Sequence, residues 1–275
     1  MTPHEKENLQ AEEAIERSDP RLLTRALLEG ADPNHELATG QSLLHRACEK
    51  DVPLLVTMLV EKGANVNARN RFGETPALLA AENGRVGTLL VLGRSGADFN
   101  VPNETGEFPI HRAARAGHDQ IVAFLLQFRV AVDQRTRTGQ TALHLSVLGR
   151  HITTCRLLID HGASLDVRDR DGHTPLIYAV QLISPCQPTD VELVRMLLEK
   201  GASANARDND EQTALIWAAT KSDSPALINV LLEHAANPVL TDKIGHDALA
   251  RARLLGHKET EKVLLAAQAG PTAKA

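Results

Sequence analysis

The sequence predicts an all-α solenoid of stacked helix-turn-helix units joined by hairpin loops. Three observations predict it. Helix-opening segments recur at Ser42, Thr75, Phe108, Thr141 and Thr174, each 33 residues after the last, then at Thr213 and Asp247 after steps of 39 and 34. A second landmark, Gly-Ala-x-x-Asn and its variants, keeps the same phase at 30–34, 63–67, 96–100, 162–166 and 201–205. Aromatic residues make up only 3% of the chain, so the core is built from Leu, Val, Ile and Ala, which suit thin layers of helices. One such unit cannot bury its own apolar face, whereas a stack can.

Each element of the unit has a local reason. A Thr at a helix start accepts hydrogen bonds from free backbone N–H groups, and Pro fits the first helical position, where no N–H is missed. Thr75-Pro76 and Thr174-Pro175 carry this pair intact. The Ala-Ala steps Ala80-Ala81, Ala113-Ala114 and Ala218-Ala219 let neighbouring helices approach closely. Second helices carry the pairs Leu125-Leu126, Leu157-Leu158, Leu197-Leu198 and Leu231-Leu232, which form one apolar face. A Gly then takes the left-handed conformation that ends the helix. A hairpin of Asn, Asp and Gly leads into the next copy.

Two copies depart from this pattern. Arg129 and Ala235 stand where the helix-ending Gly is expected. Keeping the left-handed backbone there costs about 1 kcal/mol, so an irregular hairpin is expected after Arg129. The sixth repeat carries an insertion at 181–190 whose Pro185 and Pro188 end its first helix. It should bulge from the turn between the two helices, away from the hairpin tips. A single domain is expected over 1–267. It comprises a polar capping repeat at about 8–34, full repeats at about 37–242 and a second capping repeat at about 243–266. The tail 268–275 is expected to be loose. Both end copies are charge-rich, and polar outer faces are expected there.

These starts on a period of 33 resemble the ankyrin repeat family, whose signature is Thr-Pro-Leu-His-x-Ala-Ala, and the likeness extends over about 8–265. The resemblance implies a protein–protein interaction module (adaptor, scaffold or inhibitor) binding through hairpin tips and the concave face of the first helices. A microbial ankyrin effector acting on host proteins is the alternative it leaves open. It also implies that His45, His111 and His144 bond across the hairpin and are structural, and that His118, His151 and His257 belong to the turn between helices. By the same likeness, Asn67 and Asn100 match hairpin asparagines that are hydroxylated where a suitable enzyme is present.

The bulk properties narrow the function. The net charge of −5 argues against a protein held on nucleic acid by its overall field. Cys48, Cys155 and Cys186 are odd in number and far apart, which fits neither a disulfide framework nor a zinc site. The polar, acidic stretch 1–18 does not read as a signal peptide. No run approaches the roughly 18 apolar residues of a membrane helix. There is no phosphate-binding glycine loop, GxSxG or HExxH. The expectation is therefore a cytoplasmic protein, with the nucleus compatible. It is not an enzyme, has no catalytic, cofactor or metal residues, is a monomer, and binds neither nucleic acid nor membrane.

Partner contacts are expected on two surfaces. Hairpin tips offer Arg69, Arg71, Arg135, Arg137, Arg168, Arg170 and Arg207, whose guanidinium groups suit carboxylates on an acidic partner. The first-helix face offers Arg112, Arg115, Leu145, Leu148, Tyr178, Leu182, Trp217 and Lys221. The only Trp and the only Tyr lie on it, and both residue types are enriched at binding hot spots, so an apolar anchor on the partner is expected too.

Overall fold

The computed structural model describes residues 4–183 and 189–269. Sixteen helices and no strand occur among them, so the chain is an all-α repeat solenoid. It divides into two compact units, Met1–Arg137 and Thr138–Ala275. The first unit contains α1 (Glu5–Glu16), α2 (Pro20–Leu28), α3 (Leu43–Lys50), α4 (Pro53–Glu61), α5 (Pro76–Glu82), α6 (Val86–Arg94), α7 (Pro109–Ala116) and α8 (Asp119–Gln127). The second contains α9 (Ala142–Leu148), α10 (Ile152–Asp160), α11 (Pro175–Gln181), α12 (Thr189–Glu199), α13 (Ala214–Lys221), α14 (Pro225–Glu233), α15 (Ala248–Leu255) and α16 (Lys258–Gln268). Odd-numbered helices open each repeat and even-numbered helices close it.

The caps form as the sequence expects. The hydroxyls of Thr75, Thr174 and Thr213 each accept from the amide three residues on, at 3.3 Å. At Phe108 no side-chain acceptor exists. There His111 Nδ1 accepts the Phe108 N–H at 3.1 Å, and His45 and His144 do the same for Ser42 (3.2 Å) and Thr141 (3.1 Å). With Nδ1 accepting, the proton sits on Nε2, which donates to a carbonyl of the next hairpin. Those carbonyls are Glu74 O (2.9 Å), Gln134 O (2.9 Å) and His173 O (3.2 Å). Each imidazole thus ties a helix start to its own hairpin and to the next.

Packing follows from residue size. Ala80, Ala81, Ala113, Ala114, Ala218 and Ala219 are fully buried, as are Leu125, Leu158 and Leu231 on the second helices. Cys48 and Cys155 are buried free thiols, and burial pushes the Cys48 thiol up from its usual range. Arg129 and Ala235 keep the left-handed backbone, with φ of 58° and 60°. The hairpin after Arg129 is nevertheless docked regularly, since Arg137 N–H donates to Thr105 O at 2.9 Å. The left-handed residue is thus kept without loss of the contact between successive tips.

The insertion lies between α11 and α12, and its residues 184–188, with Pro185 and Pro188, are outside the described residues. So are residues 270–275 of the expected tail. No helix among the described residues is long and apolar enough to cross a membrane. The last repeat is less polar outside than expected. Leu254, Leu255 and Leu265 are 66%, 51% and 42% exposed, because they occupy positions that do not face the preceding repeat.

Candidate functional site

Three of the four first helices of the second unit, α11, α13 and α15, share a device that begins in the hairpin. Asp169, Asp208 and Asp242 occupy the same turn position. The Oδ1 of each accepts two amides of its own loop. For Asp208 these come from Asp210 and Gln212, both at 2.9 Å. Oδ2 then accepts from the residue nine positions on, in the first turn of the following helix. Tyr178 Oη donates to Asp169 Oδ2 at 2.7 Å, Trp217 Nε1 to Asp208 Oδ2 at 2.7 Å, and Arg251 Nη2 to Asp242 Oδ2 at 2.5 Å. Burial opposes ionisation of Asp242, but the His246 amide and Arg251 outweigh it and hold the carboxyl low. Burial, followed by the bond to Asp169, raises the Tyr178 phenol to about 12.

These bonds fix the polar ends of the aromatic side chains and leave their rings half-buried on the first-helix face. His173 lies edge-on to both rings, with centroids 5.2 Å from Tyr178 and 5.9 Å from Trp217, and His144 lies 5.8 Å from Tyr178. Lys221 Nζ sits 5.9 Å from the Trp217 ring, and no carboxylate pairs with it among the described residues. Leu148 and Leu182 are half-buried beside this face, whereas Leu145 is 1% exposed and packs inward. One repeat beyond Trp217 and Lys221, the equivalent positions hold Arg251 and Leu255, with exposed Leu254 beside them.

The first-helix face of the first unit has the opposite character. Arg112 lies 2.6 Å from Glu107, 2.8 Å from Glu82 and 3.0 Å from Glu74, and Arg115 pairs with Glu107. Arg46 bridges Glu16 (2.5 Å) and Glu49 (2.6 Å), and Lys50 reaches Glu16 at 2.7 Å. Hydrogen bonds from Arg46 and Lys50 lower the Glu16 carboxyl to about 2. This wall is charged but largely neutralised by its own pairs.

The hairpin arginines are not a uniform set. Arg69, Arg71, Arg135, Arg137, Arg168 and Arg170 are exposed and Arg207 is half-buried. Arg207 pairs with Glu211 at 2.7 Å, Arg168 Nη2 donates to Asn209 Oδ1 at 3.1 Å, and Arg71 Nη2 donates to Ala38 O at 3.3 Å. Asn67 Oδ1 accepts the Asp98 amide at 2.9 Å and Asn100 Oδ1 accepts from Gln134 at 3.0 Å, so both asparagines link successive hairpins. Asp169, Asp171 and His173 bring ligand atoms within 4.8 Å of one another. Both oxygens of Asp169 are already engaged, by the Asp171 and His173 amides and by Tyr178.

A family profile described as ankyrin repeats (3 copies) matches residues 12–103, 77–169, 110–208 and 182–275. The chain belongs to the ankyrin repeat family. Ankyrin repeats are generally protein–protein interaction modules and typically non-enzymatic. No curated protein sequence matches this ankyrin chain. Sequence reasoning missed Leu254 and Leu255 because the last ankyrin copy reads as a charged cap. The signal was present in its numbering, since adding the 34-residue step to Thr220 and Lys221 gives these two leucines.

Proposed function

We propose that this chain is an adaptor, scaffold or inhibitor that binds a partner protein on the first-helix wall of its second unit. The observation that carries this reading is the contrast between the two walls. In the first unit the wall's charges pair with one another, whereas the second unit presents half-buried Leu148, Tyr178, Leu182 and Trp217, exposed Leu254 and Leu255, and Lys221, which has no ion-pair partner among the described residues. Aromatic faces held rigid by bonds to Asp169 and Asp208 lose little entropy on binding, a common property of hot-spot residues. Lys221 beside Trp217 favours a partner segment with an acidic side chain next to an apolar anchor.

A peptide-display selection against the intact chain tests this reading. Enriched peptides should combine Asp or Glu with Leu, Ile or Phe. Their binding should weaken at least tenfold in Leu182→Glu and Lys221→Glu, with unchanged helical circular dichroism. Equal binding by both variants overturns the assignment. The exposed Arg69, Arg71 and Arg137 of the first unit remain further contact residues in this reading, as does Arg170 of the second by itself, because a guanidinium group suits carboxylates.

A further inference from the structure

The second helices of the first unit, α2, α4, α6 and α8, stand side by side, each packed on the next. Leu23, Val56, Leu89 and Val122 hold the same place in successive repeats, are buried, and mark the inward side. Exposed on the outer side are Leu28, Leu54, Leu90 and Phe128, at 71%, 54%, 41% and 45%. Gly93 lets the Phe128 ring lie over α6, since a methyl group there would come within 3.1 Å of the ring. Leu27, Leu28, Met58 and Lys62 are among the residues lining a cleft of about 220 Å³ between α2 and α4, so apolar side chains and a cation share one opening.

The charge on this side is mainly positive. Arg21, Arg25, Lys62, Arg94 and Arg129 are exposed there, against Glu29 and Glu61. Arg25 is paired with Glu29 at 2.8 Å, which leaves four cations and one carboxylate with no ion-pair partner among the described residues. Lys62, Arg94 and Arg129 stand at or just past the C-terminal ends of α4, α6 and α8, one to a repeat. The second helices of the second unit are balanced instead, since Lys200 pairs with Asp160 at 2.7 Å and Arg195 lies 3.5 Å from Glu233. A positive face studded with exposed apolar residues, on a chain of net charge −5, marks a site for a negatively charged partner.

We infer that this face rests on a lipid bilayer whose surface carries anionic headgroups. Its apolar side chains are of the kind that enter the boundary between headgroups and acyl chains, and the long stems of Lys62, Arg94 and Arg129 let their charged ends reach the phosphates beside them. An anionic leaflet attracts such cations over roughly a Debye length. The layout of the face favours a fluid surface over a folded partner. Leu28, Leu54, Leu90 and Phe128 fall at four different positions of their repeats, so no straight apolar stripe exists for a partner helix to follow. Lipids rearrange around scattered side chains and need no such stripe. The absence of membrane contact expected from sequence rested on the lack of a spanning run, and a face that lies on a bilayer needs none. The site is separate from the first-helix wall, because it is built on the even-numbered helices.

Co-sedimentation of the full chain with vesicles, at about 0.1 M salt, tests the inference. The chain should pellet with phosphatidylcholine vesicles containing about 30% phosphatidylserine and stay in solution with phosphatidylcholine alone, and about 0.5 M salt should weaken the binding. Lys62→Glu/Arg94→Glu and Leu54→Glu/Leu90→Glu should each weaken it by about tenfold or more, with unchanged melting temperatures because these side chains are already exposed. Lys221→Glu, on the first-helix wall, should bind the vesicles as the wild type does. A chain that stays in solution with phosphatidylserine vesicles overturns the inference. So does equal pelleting with both kinds of vesicle, or pelleting unaffected by Lys62→Glu/Arg94→Glu. An acidic-apolar peptide whose binding is lost in Lys62→Glu/Arg94→Glu overturns it too, since the face then has a protein occupant.

Discussion

The Trp217 indole N–H donates to Asp208 Oδ2 at 2.7 Å, so the only tryptophan of the chain is tied to the hairpin that precedes its own helix. Asp208 is 4% exposed, and its other oxygen holds the Asp210 and Gln212 amides. A substitution at Trp217 therefore acts on the hairpin as well as on the wall. Trp217→Phe should leave Asp208 Oδ2 without its donor and lower stability by about 1–2 kcal/mol. Asp208→Asn should cost a similar amount, because an amide nitrogen then faces the indole N–H. Urea unfolding followed by circular dichroism measures both.

Ala235 and Arg129 hold a backbone that glycine adopts without strain. Ala235→Gly should raise stability by about 1 kcal/mol, since the relieved strain exceeds the entropy glycine adds to the unfolded chain. The check is a higher urea midpoint with an unchanged slope. Arg129→Gly should act in the same direction.

Acid should weaken the first unit in two separable steps. Burial holds the His45 imidazole below its usual value, so the unfolded chain binds this proton more readily. Its contribution is full above about pH 6.5 and is lost as pH falls through that value toward the folded one. Glu16, lowered to about 2 by Arg46 and Lys50, contributes above its ordinary value of 4.5 and loses that contribution as pH falls toward 2. His45→Ala should flatten the stability profile in the upper window and Glu16→Gln in the lower one. Chemical denaturation at stepped pH reads both.

Arg112 is the common partner of Glu74, Glu82 and Glu107, and the Glu107 side chain is 8% exposed. Arg112→Met should cost about 3 kcal/mol, because it strands a buried carboxylate that Arg115 compensates only in part. Adding Glu107→Gln should recover part of the loss, a coupling that a double-mutant cycle measures.

The repeat, its caps and its helix-ending glycines were legible because each depends on residues close in sequence. His45, His111 and His144 were legible as structural positions, but the reciprocal cap at Nδ1 was not, since it needs the folded hairpin beside the helix start. The Asp, Asn and Gly content of the hairpins made Asp169 and Asp208 legible as loop residues. Their second oxygens escaped notice because the partners, nine residues on, meet them only after the helix folds back against the loop. Arg112 and Arg115 read as open groove residues, and their carboxylate partners lie up to 38 residues away in the sequence. The exposed apolar residues of the second helices were hidden for a different reason. Leu54, Leu90 and Phe128 resemble core leucines and aromatics until the stack shows which side of each helix is covered.

Trp217 is the only tryptophan and stands in the middle of the proposed binding wall, so its fluorescence reports occupancy directly. The decisive measurement is titration of the intact chain with a selected acidic-apolar peptide while following Trp217 emission. The expected result is a saturable shift that is lost in Lys221→Glu and in Leu255→Glu but kept in Leu90→Glu, whose substitution lies on the outer face. Tight binding with no change in Trp217 emission, or binding indifferent to Lys221 and Leu255, would contradict the assignment of partner recognition to this wall.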